Sequence, residues 1–270
     1  PHDKVTARIA DAVAKGYDNI KADHVADVGE YFDRVKLNLT TEVPNVTTDV
    51  LLQNYINGDE HPYLEELIYQ YGRYLLIASS RENSLPAHLT GAWNAYDYPV
   101  CLAGYWHNIN LQMNYWGVFS SNLTEMFESY VKLYEAFLPD VTADASNYIK
   151  TSHPDNWDSS GNNGWGASTR VTPYDAYATR PSGIDGAGTG AMAADLLWDY
   201  YEFTGDREIL ENIAYPAISG SANYMSRQME ELPDYPGLLL IPTSGSPENH
   251  VPEINADGAA FAQGWAYSNY

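Results

Sequence analysis

The sequence predicts an all-α fold in which helix pairs are arranged in a barrel-like ring. Three observations carry that prediction. Apolar residues recur at three- and four-residue spacing in about nine segments. Alternating strand patterns are scarce. The helical segments are joined alternately by short and very long connections, which would gather the long loops at one end of an α/α barrel.

The elements follow in order. Val5, Ile9, Ala12 and Val13 mark one helical face, and Gly16 ends it. Val25, Val28, Phe32 and Val35 mark a second helix running into VKLNL. Residues 40–58 read mostly as connection, with VLLQNYI as a short helix inside it. Leu64, Leu67, Ile68, Tyr71 and Leu75 predict a helix that ends near Ser80. A long loop follows. Asn110 is then placed to cap a short helix through Trp116.

Leu123, Phe127, Tyr130, Tyr134 and Phe137 predict a longer helix stopped by Pro139, with a further short helix over 143–150. Residues 151–186 are the most loop-like part, rich in Gly, Ser, Asp and Asn, with Trp157 and Trp165 showing no periodicity. Loops of this length in compact domains are often functional. Ala187, Ala191, Ala194, Trp198 and Tyr201 return to helical spacing; Gly205 closes that helix and Asp206 caps the next. Pro216 begins a new turn, and Ile218, Ala222, Met225 and Met229 carry the pattern to Glu231. LLLI, just before SGSPENH, reads as a short strand.

Composition narrows the function. Hydrophobic residues make up 44% and charged residues 19%, which is ordinary for a globular chain. The formal charge of −22, from 36 acidic and 14 basic residues, argues against a nucleic-acid or anionic-membrane partner. No apolar run reaches the length of a membrane span. A single cysteine, Cys101, cannot form an internal disulfide. N-x-S/T sequons occur at Asn38, Asn45 and Asn122. Asn122 is also read as a helix N-cap with Glu125 three residues on, so Asn38 and Asn45 are the better glycan acceptors.

Residues 85–116 organise the rest: LPAHLTGAWNAYDYPVCLAGYWHNINLQMNYW. Trp and Tyr lie close to a run of amides, Asn94, Asn108, Asn110, Gln112 and Asn114. Apolar cores avoid amides, because each must find partners when buried. A sugar suits them: ring faces stack on C–H groups and amides read hydroxyls. The alternative is a Tyr-rich surface loop before a capped helix. Asn108 and Asn110 would point roughly 200° apart on a regular helix, so joint action needs loop backbone or a helix N-terminus between them.

The blocks LPAHLTGAWN and HNINLQMNYW resemble two adjoining motifs of glycoside hydrolase family 95, the inverting α-L-fucosidases. There the pattern runs close to LPANLQGIWN, then a tyrosine, a histidine and a threonine before NINLQMNYW. YGRYLLIASSR, YEFTGDREILENIAYPAISGSANY and SGSPEN fit in the same order, extending the resemblance from about residue 33 onward.

The resemblance implies an (α/α)6 barrel of twelve helices, of which this chain holds a part. It assigns residues 1–60 to linker helices and connection, and 61–270 to an incomplete catalytic barrel. It makes Glu248 the general acid that protonates the leaving oxygen. It makes Asn108 and Asn110 the pair that positions the nucleophilic water, with an aspartate expected beyond residue 270 to polarise it. Trp93, Asn94, Trp106, His107, Trp157 and Asn249 are its candidate substrate-binding residues. Two departures stand out. Trp106 takes the family's histidine position and His107 the following threonine position, while His153, Asp155 and Trp157 match its histidine-rich motif only loosely.

The expected substrate is a fucosylated oligosaccharide or polysaccharide, cleaved by a secreted, glycosylated exo-enzyme. No cofactor or metal is expected: His153 and Asp155 lack ligand spacing, and no CxxC or HExxH occurs. An α-L-galactosidase, a catalytically inactive carbohydrate-binding relative and a structural helical-repeat protein stay open as alternatives. The first differs only by a hydroxyl at C6 of the sugar, which an apolar pocket rejects modestly.

Overall fold

A computed structural model describes residues 2–172, 188–231, 233 and 236–241. These residues are mainly helical, as the sequence predicts, and the few strands are two residues long. The chain divides into two compact units, Pro1–Ser79 with Ser120–Leu123, and Ser80–Phe119 with Thr124–Tyr270.

The first unit contains α1 (His2–Lys15), α2 (Tyr17–Phe32), α3 (Thr48–Ile56) and α4 (Pro62–Ser79). Gly16 separates α1 from α2 with φ 78°. α1 buries none of its residues. The second helix ends at Phe32 and does not run into VKLNL. The cause is Arg73 of α4, itself 3% exposed. Its guanidinium donates to the carbonyls of Tyr31 at 3.0 Å, Phe32 at 2.8 Å and Val35 at 3.0 Å. The bonds to Tyr31 and Phe32 satisfy carbonyls that the end of a helix leaves without an intrahelical donor, and the one to Val35 holds the chain just beyond it. The chain then passes α4, where Glu66 accepts from the Leu39 and Thr40 backbone N–H groups. Asn122 does not cap a helix: it sits in the left-handed region at φ 56°, followed by a 3-10 turn over Thr124–Phe127. Asparagine tolerates that conformation better than most residues.

The second unit is built on α5 (Asn110–Tyr115), α6 (Glu128–Ser152), α7 (Thr189–Thr204), α8 (Arg207–Ile209) and α9 (Tyr215–Arg227). Pro139 does not stop α6, which runs as one 25-residue helix through the position where two were expected. Pro139 is exposed, so the carbonyl it leaves without a donor can be hydrated on the outer face. The inner face of α6 buries Tyr130, Leu133, Tyr134, Phe137, Val141 and Ile149. Gly205 closes α7, and the Asp206 carboxylate accepts from the Glu208 N–H at 2.8 Å to start α8. A π-helical stretch, Leu210–Ala214, joins α8 to α9, with Pro216 in the first turn of α9. α9 stops at Arg227, short of the predicted Glu231. Glu230–Glu231 instead forms a strand, β3, paired with the predicted strand at Leu239–Leu240, β4.

Much of the segment read as loop is packed inside. Asn163, Trp165, Ala167, Thr169 and Val171 are all buried. The Trp165 indole donates to Ala217 O at 3.1 Å, and its backbone N–H to Gly220 O at 3.2 Å, so the loop rests on α9. Gly164, at φ +71°, permits this: a Cβ there would lie 2.0 Å from Gly220 O.

Candidate functional site

The site is a strand, a turn and a short helix in sequence. The strand is β1 (Tyr105–Trp106), paired antiparallel with β2 (Arg170–Val171). The pairing continues one residue on, where His107 N–H donates to Thr169 O at 2.6 Å. Residues 107–109 turn, and α5 begins at Asn110. Ile109, with φ −172°, takes the N-cap position expected of Asn110. Asn108 thus sits in the turn and Asn110 in the first helical residue, the arrangement that joint action requires. Among the described residues the buried side-chain oxygen of Asn108 finds no hydrogen-bond partner. Asn110 is half-buried.

The rest of α5 explains why its sequence is so rich in amides. Gln112 is fully buried and donates to His107 O at 2.6 Å. Asn114 donates to Ala87 O at 3.2 Å and His88 O at 3.4 Å. Tyr115, also fully buried, receives the Ala87 N–H at 2.8 Å and bonds Ser80 Oγ at 2.7 Å and Ser129 Oγ at 3.0 Å. Burial raises the Tyr115 phenol above its ordinary range, which keeps it neutral as a hydrogen-bonding hub. Two motif blocks that adjoin in sequence are therefore stitched together by side chain to backbone. The amide-and-aromatic pattern signalled sugar reading, but Asn94, Gln112 and Asn114 spend their amides on backbone. Gln112, Asn114 and Tyr115 are positioning residues that motif reading leaves without a role. Their signal was the spacing of a polar residue beside buried Leu111 on one short helix.

His107 is 1% exposed, edge-on to Phe137 at 5.4 Å and tilted against Tyr130 at 6.3 Å. Burial pushes its imidazole down to about 4, only partly opposed by a hydrogen bond with the Tyr105 backbone. The ring is neutral near pH 7 and packs as part of the aromatic core. The Trp106 indole donates to Cys101 O at 3.2 Å. That carbonyl belongs to a turn in which Cys101, Leu102 and Ala103 all have positive φ.

The other candidates divide into three groups. Trp93 is half-exposed, with its ring laid over Gly91, where a Cβ would lie 2.5 Å from it. Asn94 is exposed and closes a local turn, donating to Tyr96 O at 2.8 Å and accepting from Tyr96 N at 3.0 Å. Trp157 packs on Ala145, Ile149 and Tyr224, with the Lys150 ammonium 4.8 Å from its ring. His153 pairs with Glu230 at 2.6 Å. Glu248 and Asn249 lie outside the described residues. Among the described residues no group of three or more His, Cys, Asp or Glu could hold a metal, and no helix is long and apolar enough to cross a membrane.

Comparison with known proteins extends the motif resemblance to nearly the whole chain. A family profile described as the glycosyl hydrolase family 95 catalytic domain matches residues 16–269. A probable alpha-fucosidase A of Aspergillus niger is 31% identical over 264 residues, covering 94% of this chain and 31% of that relative. Alpha-L-fucosidase 2 of Arabidopsis thaliana is 30% identical over 261 residues, covering 92% of this chain and 29% of that relative. The chain therefore spans less than a third of either relative's length. With residues 16–269 matched by the family profile, the chain belongs to the glycosyl hydrolase family 95 catalytic domains.

Proposed function

We propose that the full-length protein removes terminal α-L-fucose from glycans with inversion of configuration. The observation that carries this reading is the buried side-chain oxygen of Asn108, which has no partner among the described residues. A polar atom left unpaired in a native interior asks for an explanation. An acceptor aimed at a water O–H is a good one, because it orients the water's lone pair toward the anomeric carbon. Asn110, two residues further on at the start of α5, is the second half of that clamp. Glu248 is the acid: its proton goes to the departing glycosidic oxygen as the water attacks from the opposite face. The water's proton passes to a carboxylate further along the polypeptide, as the family resemblance implies. The names of the relatives favour fucose as the sugar.

The test is the configuration of the first-formed sugar. Full-length protein is mixed with an aryl α-L-fucoside, and the anomeric proton signals are followed by NMR. Initial β-L-fucose supports the reading; initial α-L-fucose, or no turnover, sinks it. Glu248→Gln should lower kcat by about 10²–10⁴-fold on natural glycosides and much less on an activated fluoride.

Secretion through a glycosylating pathway is part of the same reading. Asn38 and Asn45 are exposed and accessible to a transferase, as is Asn122. Mass spectrometry of protein from a eukaryotic secretory host should find glycan on Asn38 or Asn45. Bare asparagine at both removes the proposal.

A further inference from the structure

We propose that Gln112 is a positioning residue for hydrolysis, acting through the His107–Asn108 peptide; this rests on the water-positioning role of Asn108. Gln112 is the third residue of α5, the position from which a Gln side chain commonly reaches back to accept from the N-cap N–H. It does something else here. Its amide nitrogen donates at 2.6 Å to the carbonyl of His107, two residues before the N-cap. Its own oxygen is buried with no partner among the described residues, so the capping bond to the Ile109 N–H is forgone.

The consequence is a residue, His107, held through both of the peptide groups that flank it. The His107 N–H is fixed on Thr169 O at 2.6 Å, and the His107 carbonyl on Gln112. The His107 ring is held by Phe137 and Tyr130. The plane of the His107–Asn108 peptide sets the direction in which the Asn108 side chain leaves the backbone. A fully buried amide on a helix is a rigid post for that purpose. Displacement of a reacting group by about 1 Å can cost around 100-fold in rate, so small rotations of this peptide matter.

The test uses full-length protein and an aryl α-L-fucoside. Gln112→Met keeps the side-chain length and removes the donor. It should lower kcat by about 10- to 100-fold while KM changes by less than about threefold, because a misdirected water affects the transition state more than substrate binding. Added to Asn108→Ala, the same change should lower kcat by less than about threefold, since the side chain it aims is gone. Gln112→Glu provides a second readout that survives if the Met variant fails to fold. A protonated carboxyl presents an O–H to the His107 carbonyl and an ionised one does not. Its kcat should approach wild type at acidic pH and fall as pH rises, with an alkaline limb earlier than that of wild type.

Wild-type kcat in Gln112→Met, equal losses in both backgrounds, or an unshifted alkaline limb in Gln112→Glu overturns the assignment. Wild-type kcat in Asn108→Ala is a different failure. It removes the water-positioning role itself, and the role of Gln112 falls with it.

Discussion

Residues 91–104 and 157–172 are both long stretches with little regular structure, and they are stabilised in opposite ways. The first is exposed: Trp93 at 48%, Tyr96 at 75% and Tyr98 at 88%. Its hydrogen bonds are mostly local, such as the Asn94–Tyr96 turn. The second is largely packed inside from residue 163 on, with Asn163, Ala167 and Val171 fully buried. The Asn163 amide spans it, bonding Asp158 N at 2.8 Å, Asp158 O at 2.9 Å and Ser146 Oγ at 3.0 Å. The buried stretch carries the strand partner of β1 and so holds the turn that bears Asn108. The exposed stretch presents aromatic faces to solvent. One works as framework and the other as surface, although both contain tryptophan and glycine.

That contrast is broken most severely at Gly164. A Cβ there meets Gly220 O at 2.0 Å and Tyr224 N at 2.5 Å, both backbone atoms that cannot step aside. Together with the positive φ, Gly164→Ala should cost about 4 kcal/mol, read as a lowered denaturation midpoint. A loss below about 1 kcal/mol would mean that the buried stretch yields like a surface loop.

The next effect is at the seam, where His107 joins β1 to the buried stretch. In the unfolded chain an imidazole titrates near 6.5; in the folded protein His107 does so at about 4. Between these values the unfolded chain binds a proton that the folded state refuses. Its contribution is therefore fully present above pH 6.5 and is lost as pH falls toward 4, by ~3 kcal/mol. His107→Phe removes the titration, so denaturation at pH 7 and pH 4.5 should show less acid sensitivity in the variant. Equal acid sensitivity in the two proteins would place His107 in contact with water.

On the exposed stretch the effects shrink. Trp93→Ala should change stability by less than about 1 kcal/mol, as expected for a half-exposed side chain. If the ring stacks on sugar, kcat/KM of the full-length protein should fall about fivefold, the value of roughly 1 kcal/mol of aromatic contact. An unchanged kcat/KM would leave the ring as cover for Gly91 alone.

The smallest effect is at Leu102, which is exposed and has φ 58°. Glycine would relieve about 1–2 kcal/mol of left-handed strain and return about 0.5–1 kcal/mol in chain entropy. Leu102→Gly should therefore gain about 0.5 kcal/mol in the same melt. A measured loss would show that the side chain makes contacts worth more than its strain.

The sequence disclosed what depends on local rules. Apolar spacing marked α4 and α7, Gly205 and Asp206 marked the junction of α7 and α8, and LLLI marked β4. It misjudged features decided by distant partners or by the side a residue faces. Pro139 looked like a stop because sequence does not say whether its turn faces water. Val35 continued a helical stripe, yet Arg73 had already claimed the carbonyls that end α2. The Asn108–Asn110 spacing demanded a helix boundary, and α5 begins there. Gln112 and Asn114 were not legible as framework: an amide that holds a carbonyl looks the same in sequence as one that holds a sugar.

The grip of Arg73 on α2 also has a kinetic side. The carbonyls it holds lie some forty positions earlier in the chain, at separations of 42, 41 and 38 residues. Local rules can start α2 but cannot finish it: its end is defined only once α4 has formed and the intervening segment has closed. Closing such a loop costs entropy before any bond repays it. The last turn of α2 should therefore form late, with φ-values in folding kinetics lower than those of its first turns, and Arg73 should act chiefly on the rate of unfolding.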